Sequence, residues 1–581
     1  MIQNVLKPAN TIIDTIPKRV RFITLRLRKW FLISSIIGVL TGLLVAVLDY
    51  IVVDLLLGGA FVGLLAQPLG ALLLPIAGLT FTGIILMIIK KGRLNGTEEV
   101  IKTFHDPAGR LDERKAPLKS LAAIFTVGFG GSAGLEGPSM YIGAVVGTLV
   151  KRVANLLKLD TDDVKSVMIA GASAGMAAIF KAPLTGIVFG LEVPYKDDMA
   201  KESLIPSLVA SVTSYITFVS IMGIEPLFKT GRIFTLDYRD LLLVAVLGLV
   251  IGLMARFFVI SYRKSEDFFS GLNIPLIYKL MIGGTIVGIT GVISILVLDS
   301  PMSLGVGYGV IDDIIAETFT LKILIGLLIL KFVAVIATMS TGGVGGIFIP
   351  MIMIGATIGA IIGKLSPFEK GHLYPVVGMS SFLAAGYKTP LAAVTFVAET
   401  TGSPGYIIPG LIAAAVGFMV SGRLSISRFQ RWSRMTKIET MLMAKVKEAM
   451  TREVVTVPGD ISVDDFFQDY LLKYRFKSFP VVRGDHLAGM IALSDVNEIP
   501  EEQWDEKKVI EAAVSEVVVA YPEQSLADVL DEMNEKSIDR LPVVSHRDER
   551  EIIGIISSSD IVEMEELSRY VAGRRDKVTT T

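Results

Sequence analysis

The chain has 581 residues, of which 52% are hydrophobic, and its formal net charge is −1. A mean hydropathy of +0.60 is too high for an ordinary soluble protein, so much of the chain is expected to lie in lipid. The balanced charge predicts no nucleic-acid partner. The absence of cysteine excludes disulfides, thiolate metal sites and cysteine nucleophiles.

The first long apolar segment, from Phe31 to Val53, is too long for a signal peptide and is predicted to be the first membrane helix. Basic residues precede it in the segment 1–29 and follow the last apolar stretch at 423–434. The positive-inside rule therefore predicts an integral, multi-pass membrane protein with both termini in the cytoplasm. A plasma membrane fits this orientation, and an organelle membrane stays open.

The other apolar segments are uneven in length. The segments Leu55 to Ile89 and Phe332 to Gly363 carry no charge, whereas others are short or interrupted by Gly and Pro. This pattern does not fit a bundle of regular spans and favours broken and re-entrant helices.

The apolar region repeats itself. The segment Phe180 to Leu184 recurs as Tyr387 to Leu391, with an offset of 207 residues. In each copy a Phe and a Glu follow at equal spacing, namely Phe189 and Glu192, then Phe396 and Glu399. The repeat predicts two related halves, at about 30–225 and 238–430.

Each half also contains a glycine-rich break, Gly130 to Pro138 in the first and Gly342 to Pro350 in the second. Glycines in membrane helices often serve only close packing. Two breaks at corresponding places, however, are typical of repeat transporters whose ion site lies between discontinuous helices.

Glu136 is the only charged residue between Ser120 and Val150. An ionisable side chain in apolar surroundings is costly and usually functional. The flanking Gly and Pro residues break the helix, so the next helix begins with free amides that attract an anion. Glu136 is predicted to block this site when ionised and to leave it when protonated. A neutral buried Glu bonded to the backbone is the alternative interpretation.

These motifs resemble those of the CLC chloride channel and transporter family. The segment 131–138 is similar to its G-x-x-G-x-E-G-P motif, the segment 345–350 is similar to its G-x-F-x-P motif, and Asn95 to Glu99 lies where its G-S-G-I-P-E motif is expected. The resemblance covers about residues 30–430 and implies a homodimer with one anion pathway per subunit, gated by Glu136. The anion-binding residues that it implies are Asn95, Gly134, Gly137, Gly346, Ile347 and Phe348.

Two departures from the family pattern concern the anion site. Asn95 replaces a serine, which leaves the anion selectivity open, although an amide N–H can also donate to an anion. Near Arg423 to Ile426 no tyrosine matches the one that usually completes the inner end of the site. The intracellular gate is then either looser or formed by other residues.

A third departure is Val193, where family exchangers commonly have a proton-donating glutamate. Valine cannot carry a proton, so it favours a passive channel over a proton-coupled antiporter. The antiporter remains the alternative, because a water chain or another carboxylate can substitute; the candidates are Glu192, Asp197, Asp198 and Glu202. Apart from this possibility, Glu192 and Glu399 are assigned no role, since carboxylates at helix ends are usually solvated or paired.

After Lys437 the chain becomes charged, and a second repeat begins beyond a linker at 431–443. The segment Ser478 to Val482 recurs as Arg540 to Val544. The two copies, at 444–504 and 507–567, resemble CBS domains, and the tail 568–581 follows. Each copy is predicted to be a small α/β module that packs against its twin.

CBS pairs often bind adenine nucleotides such as ATP, ADP or AMP at a short turn after a strand. In the second copy Asp560 is predicted to hold the ribose and Ser557 a phosphate. The first copy keeps Asp495 but has Ala492 at the hydroxyl position. One nucleotide site per pair is predicted, and a ligand-free structural pair is an equally open interpretation.

The predicted fold is thus an α-helical inverted repeat with re-entrant helices, followed by an α/β CBS pair. The predicted function is gated chloride conduction without catalysis, and neither a metal nor a required cofactor is expected. A magnesium channel would need acidic rings in the membrane. A membrane-anchored nucleotide sensor would not need paired glycine breaks.

Overall fold

The computed structural model describes residues 18–89, 96–106, 111–156, 164–230, 236–366, 372–433, 444–474, 476–536 and 538–561. The chain divides into two compact units, Met1–Arg434 and Met435–Thr581. Among the described residues, the regular structure of the first unit is helical, and the second unit combines short helices with strands.

The helices of the first unit vary widely in length, as the uneven apolar segments predict. In chain order they are α1 (Lys18–Asp49), α2 (Val62–Leu65), α3 (Pro68–Ile89), α4 (Gly96–His105), α5 (Ala116–Gly128), α6 (Glu136–Leu156), α7 (Val164–Ile179), α8 (Pro183–Glu192), α9 (Leu204–Met222), α10 (Tyr238–Gly271), α11 (Leu276–Leu298), α12 (Tyr308–Ile315), α13 (Leu321–Ser340), α14 (Phe348–Leu365), α15 (Leu373–Tyr387), α16 (Pro390–Thr400) and α17 (Ile407–Val420). A π-helix, Tyr50–Ala60, continues α1.

Within the described residues, seven helical segments are long and apolar enough to cross a membrane. They are Trp30–Ala60, Pro68–Ile89, Lys201–Met222, Tyr238–Gly271, Leu276–Leu298, Leu321–Ser340 and Phe348–Leu365. Large apolar side chains are exposed along several of them, including Leu69, Leu242 and Leu296. In water this exposure would be unfavourable, whereas lipid removes the cost.

The shorter helices begin at the breaks that the sequence predicts. α6 begins at Glu136 and α14 at Phe348, directly after the two glycine-rich segments. α8 and α16 each begin with a proline. Because proline has no backbone N–H, no donor is left without a partner at the first position of the helix. The lysines two residues before these prolines, Lys181 and Lys388, both have positive φ angles, so the turn geometry is the same in the two copies.

The order α6, α7, α8 in the first half is therefore matched by α14, α15, α16 in the second. α6 packs on α7, and α14 packs on α15. Glycines make both approaches close: a Cβ atom at Gly143 would overlap the backbone of Gly171, and one at Gly355 the backbone of Gly378. The predicted repeat with broken helices is confirmed, and the glycines that allow this close helix packing lie outside the two breaks.

The second unit contains two small sheets. Its elements are α18 (Val446–Ala449), β1 (Val457–Pro458), α19 (Val463–Phe466), α20 (Leu472–Tyr474), β2 (Ser478–Arg483), β3 (His486–Ala492), α21 (Leu493–Asn497), α22 (Val509–Ala512), α23 (Leu526–Glu535), β4 (Arg540–Val544) and β5 (Ile552–Ser557).

The two predicted modules are visible in the strand pairing. β2 lies between β1, which is parallel to it, and β3, which is antiparallel, and β4 pairs with β5 in the same antiparallel manner. Each module has its own apolar core, one around Phe479 and one around Leu541. The backbone of Met490 pairs with that of Val514, which ties the start of the second module to the first sheet. The predicted α/β pair is confirmed.

Candidate functional site

The two glycine-rich breaks contact each other directly. The backbone of Gly134 and that of Gly346 exchange two N–H···O bonds, each 2.8 Å between nitrogen and oxygen. This antiparallel bridge joins the first half of the chain to the second. It places the first turns of α6 and α14 side by side, because each helix begins two residues after its glycine.

Two threonines fix these breaks from the opposite half. Thr126 accepts a hydrogen bond on Oγ1 from the amide of Val344, at 3.1 Å. Thr338 accepts one from the amide of Ser132, also at 3.1 Å. The two contacts are related by the repeat and satisfy amides that lie outside regular helices, so the irregular backbone is stable inside the protein.

Glu136 lies where the two breaks meet. Its side chain is only 1% exposed, and its Oε1 accepts a hydrogen bond of 2.5 Å from the amide of Phe348, the first residue of α14. The amide of Ile349 also points at this carboxylate. Among the described residues, Oε2 has no hydrogen-bond partner. A carboxylate at a helix N-terminus occupies a place that suits any anion.

The glycines around Glu136 leave space for its carboxylate. A Cβ atom at Gly134 or at Gly346 would overlap the carboxylate, and one at Gly137 would lie 2.8 Å from the oxygen of Gly345. The structure therefore brings together five of the sequence-predicted residues, Glu136, Gly134, Gly137, Gly346 and Phe348. Ile347 is buried beside them. Asn95 lies outside the described residues.

An aromatic cluster surrounds Phe348. Its ring centroid lies 4.7 Å from that of Phe180, 5.2 Å from Phe189, 5.0 Å from Phe396 and 6.2 Å from Tyr387. Both copies of the repeat contribute to the cluster. These rings exclude water around the helix starts, which strengthens electrostatic interactions there.

A cavity of about 250 Å³ reaches this region from one side. Ile347, Tyr387 and Ile426 line one part of it, and Glu98 and Arg428 line another. The cavity thus connects charged residues with the predicted anion-binding segment. Sequence reasoning did not identify Tyr387, although its position, equivalent to Phe180 in the repeat, was a usable signal.

Glu192, to which no structural role was assigned, caps a helix of the other half. Its carboxylate accepts hydrogen bonds from the amides of Leu391, at 3.2 Å, and Ala392, at 2.9 Å, in the first turn of α16. These amides have no partner within their own helix, so the carboxylate satisfies them.

Glu399 makes the reciprocal contact. It accepts hydrogen bonds from the amides of Leu184, at 2.9 Å, and Thr185, at 2.6 Å, in the first turn of α8. The Thr185 hydroxyl also donates to it, at 2.7 Å. Each helix therefore caps the start of the other, which requires the two to run antiparallel. The equal Phe-to-Glu spacing in the two copies was the sequence signal for this pair.

Val193 is completely buried. Its carbonyl accepts a hydrogen bond of 2.8 Å from Nε2 of Gln430, which also donates to the carbonyl of Tyr387 at 2.8 Å. The side chain at position 193 is therefore apolar and buried, and it cannot carry the proton that a glutamate at this position would carry. The other candidate carboxylates after α8, Asp197, Asp198 and Glu202, do not line the 250 Å³ cavity.

Lys331 is one of several further ionisable residues that are buried in the membrane unit, and sequence reasoning missed it. Its ammonium donates to the carbonyl of Gly305 at 3.0 Å and to that of Ser303 at 3.5 Å. The side chain is 1% exposed. Lys331 directly precedes the uncharged segment Phe332 to Gly363. In the sequence alone, a lysine in that position looks like a residue at the end of a membrane helix.

In the second unit, a cavity of about 160 Å³ is lined by Ser557 and Asp560 from the second module and by Phe476 from the first. Asp560 accepts hydrogen bonds on one oxygen from the Ser557 amide, at 2.8 Å, and the Ser557 hydroxyl, at 2.7 Å. The guanidinium of Arg540, also in the lining, lies 4.4 Å from the Phe476 ring centroid. The cavity therefore combines a carboxylate, a hydroxyl, a cation and an aromatic face.

The equivalent turn of the first module is simpler. Asp495 accepts a hydrogen bond of 2.7 Å from the amide of Ala492, in the same turn geometry. Neither residue lines the 160 Å³ cavity. Ser557 and Asp560 are thus brought together at a cavity, whereas Asp495 is not part of it.

Comparison with known proteins identifies both units. The family model described as voltage-gated chloride channel matches residues 77–422, and the CBS domain model matches residues 446–501 and 509–566. An uncharacterised protein of Methanocaldococcus jannaschii is 28% identical over 408 residues, which are 70% of this chain and 97% of that protein.

The H(+)/Cl(−) exchange transporter ClcA of Salmonella arizonae is 29% identical over 308 residues, covering 52% of this chain and 64% of the transporter. The crystal structure of a eukaryotic CLC transporter has a TM-score of 0.59 and 17% identity, covering 92% of this chain and 98% of that one. At this identity the likeness concerns the fold. Together with the meeting of the two glycine breaks at Glu136, the family match over residues 77–422 shows that the chain belongs to the voltage-gated chloride channel (CLC) family and carries two C-terminal CBS domains.

Proposed function

We propose that this CLC protein conducts chloride passively through a pathway that Glu136 gates. The observation that carries the proposal is the contact between the Glu136 carboxylate and the Phe348 amide. A carboxyl group already occupies this helix start, and it is attached to the protein by a short side chain. When Glu136 accepts a proton it loses its charge-assisted hydrogen bond, and chloride takes its place.

The backbone of the two breaks would hold the chloride. Amides of Ile347 and Phe348, with Gly137 nearby, offer partial positive charge without a cationic side chain in contact, whereas the amides of Gly134 and Gly346 are engaged in the bridge between the two breaks. Such a site binds an anion strongly enough to strip its water and weakly enough to release it.

Val193 and Glu192 support conduction without proton coupling. The buried valine cannot transfer a proton, and the neighbouring Glu192 is engaged by two amides of α16.

Proton-coupled chloride exchange is the second candidate. The observation that favours it is the similarity to the H(+)/Cl(−) exchange transporter ClcA over the region that contains Glu136. In that mechanism Glu136 would carry protons as well as gate chloride, and protons would reach it by a route that avoids Val193.

The protein would act as a homodimer in a membrane, with one pathway in each subunit and both termini in the cytoplasm. The CBS pair would then face the cytoplasm, where adenine nucleotides are available. At its 160 Å³ cavity, Asp560 would hold ribose hydroxyls, and Ser557 and Arg540 would hold phosphate. One such site per pair is proposed, with ATP, ADP or AMP as its ligand.

Chloride efflux from liposomes tests the transport proposal. Purified protein is reconstituted with internal chloride, and efflux is started with a potassium ionophore. We expect efflux above that of protein-free liposomes, and at least equal efflux from Glu136→Ala, because that variant lacks the gate. If neither protein released chloride, the proposed function would be wrong.

A further inference from the structure

The inner end of the pathway lacks the tyrosine that the family resemblance places near Arg423 to Ile426. Ile426 is buried there and lines the 250 Å³ cavity. An isoleucine side chain cannot donate a hydrogen bond to an anion. If the inner end of the pathway has a polar closure, another residue must supply it.

Tyr387 lies at the same cavity and comes from a different helix. It is the last residue of α15 and lines the cavity together with Ile347 and Ile426. Its ring packs on Phe189, at 5.7 Å between centroids, and on Phe348, at 6.2 Å. The amide N–H of Ile347 points at its hydroxyl oxygen. The hydroxyl therefore lies beside one of the amides assigned to the anion, and both residues line the cavity.

The backbone holds Tyr387 firmly in this position. Its carbonyl accepts a hydrogen bond of 2.8 Å from Gln430, and the carbonyl of Gly386 accepts one of 2.8 Å from the amide of Ile426. The next residue, Lys388, has a φ angle of 60°, which ends the helix at this point. These contacts tie Tyr387 to the segment in which the usual tyrosine is absent.

We propose that Tyr387 closes the inner end of the anion pathway and donates its hydroxyl hydrogen to chloride held at the Ile347 and Phe348 amides. This inference rests on the proposed chloride transport. A phenol is a neutral donor, so it adds one hydrogen bond without a charge that would trap the anion. The same ring separates the bound chloride from the cavity and must move aside for the ion to pass.

The chloride dependence of efflux in liposomes tests this role. In Tyr387→Phe the ring remains and the hydroxyl is lost, so the half-saturating chloride concentration should rise about tenfold, as expected for one hydrogen bond to an ion. In Tyr387→Ala the obstruction is also lost, so efflux at saturating chloride should exceed that of the wild type. Tyr406→Phe is the control, because Tyr406 is equally buried and does not line the cavity.

The outcomes separate this inference from the proposed function. A wild-type protein that releases no chloride overturns both. A wild-type protein that conducts, with Tyr387→Phe at the same half-saturating concentration, overturns only the role of Tyr387. So does Tyr387→Ala with efflux at or below the wild-type rate, in protein that elutes from a sizing column like the wild type. An equal rise in Tyr406→Phe would also overturn it, since the effect would then belong to any buried tyrosine.

Discussion

The carboxylate of Glu136 accepts a hydrogen bond from the amide of Phe348, which stands 212 residues later at the corresponding point of the second half. The proposed gate, Glu136 of the first half, is therefore hydrogen-bonded to the start of a helix of the second half. Neither half contains a complete site alone. The anion pathway is accordingly assigned to the junction of the two halves, where the two helix starts meet.

Glu136→Gln should remove the pH dependence of chloride flux. In the wild type, efflux should rise as pH falls from about 7.5 to about 4.5, because protonation neutralises the carboxylate and weakens its bond to Phe348. The glutamine side chain is permanently neutral, so its efflux should be high and nearly constant over this range. Efflux from liposomes buffered at each pH measures the effect.

Glu225→Gln is the matched control for this pH series, because Glu225 is a largely exposed carboxylate far along the chain from the two breaks. It should keep the wild-type pH profile. The gating role of Glu136 would be refuted by a Glu136→Gln protein that responds to pH as the wild type does.

Gly346→Ala should destabilise the protein and disturb the gate. A Cβ atom at this position would overlap the Glu136 carboxylate, so the side chain or the backbone bridge must move. We expect the free energy of unfolding to fall by about 1–3 kcal/mol, seen as a lower thermal midpoint in detergent. Flux should also lose part of its pH dependence.

Gly309→Ala is the control for that substitution, since an added Cβ there would meet no atom within 4 Å and the residue lies inside α12. Its thermal midpoint should equal or slightly exceed that of the wild type. Equal midpoints for both alanine variants would mean that the space around Glu136 is not tight.

Glu399→Ala should weaken the antiparallel pair of α8 and α16. It removes the acceptor for two amides and for the Thr185 hydroxyl, which should cost about 1–2 kcal/mol. Thr185→Val should cost less, because the amide contacts remain. Thermal midpoints of both variants and of the double variant form a double-mutant cycle.

The cycle should show coupling of at least about 0.5 kcal/mol, because the two side chains share a hydrogen bond. Strictly additive effects would contradict the reciprocal cap.

Asp560→Ala should abolish adenine-nucleotide binding to the full-length protein, whereas Asp495→Ala should leave it intact. Asp560 lines the 160 Å³ cavity with Ser557, and Asp495 does not. Titration with a fluorescent ATP analogue in detergent measures both variants. Loss of binding in Asp495→Ala alone would move the site to the first module, and no binding by the wild type would favour a purely structural pair.

Sequence reasoning found the features that can be recognised from a short stretch of sequence. Glu136 stands alone in an apolar segment, and the glycines around it form a motif, so both the gate candidate and the breaks were predictable. The repeat of Phe189 and Glu192 was equally visible. The structural role of Glu192 was not visible, because a carboxylate at a helix end has the same sequence signature whether its partner is water or a distant amide.

Tyr387 and Lys331 were missed for a related reason. Tyr387 matters because of what lies across the cavity, Ile347 and Ile426, and these contacts depend on tertiary packing. Lys331 borders an uncharged run, and only the fold shows that its ammonium is buried against carbonyls. Comparison with a family motif considers only the positions of that motif. It therefore misses a residue, such as Tyr387, that reaches the site from another helix.

The most direct test of Glu136-gated, passive conduction is to record external pH while a chloride gradient drives flux in liposomes whose voltage is clamped by a potassium ionophore. We predict chloride flux with no proton movement against its gradient, in the wild type and in Glu136→Ala alike. Uphill proton movement in the wild type that disappears in Glu136→Ala would contradict passive conduction and establish proton-coupled exchange instead.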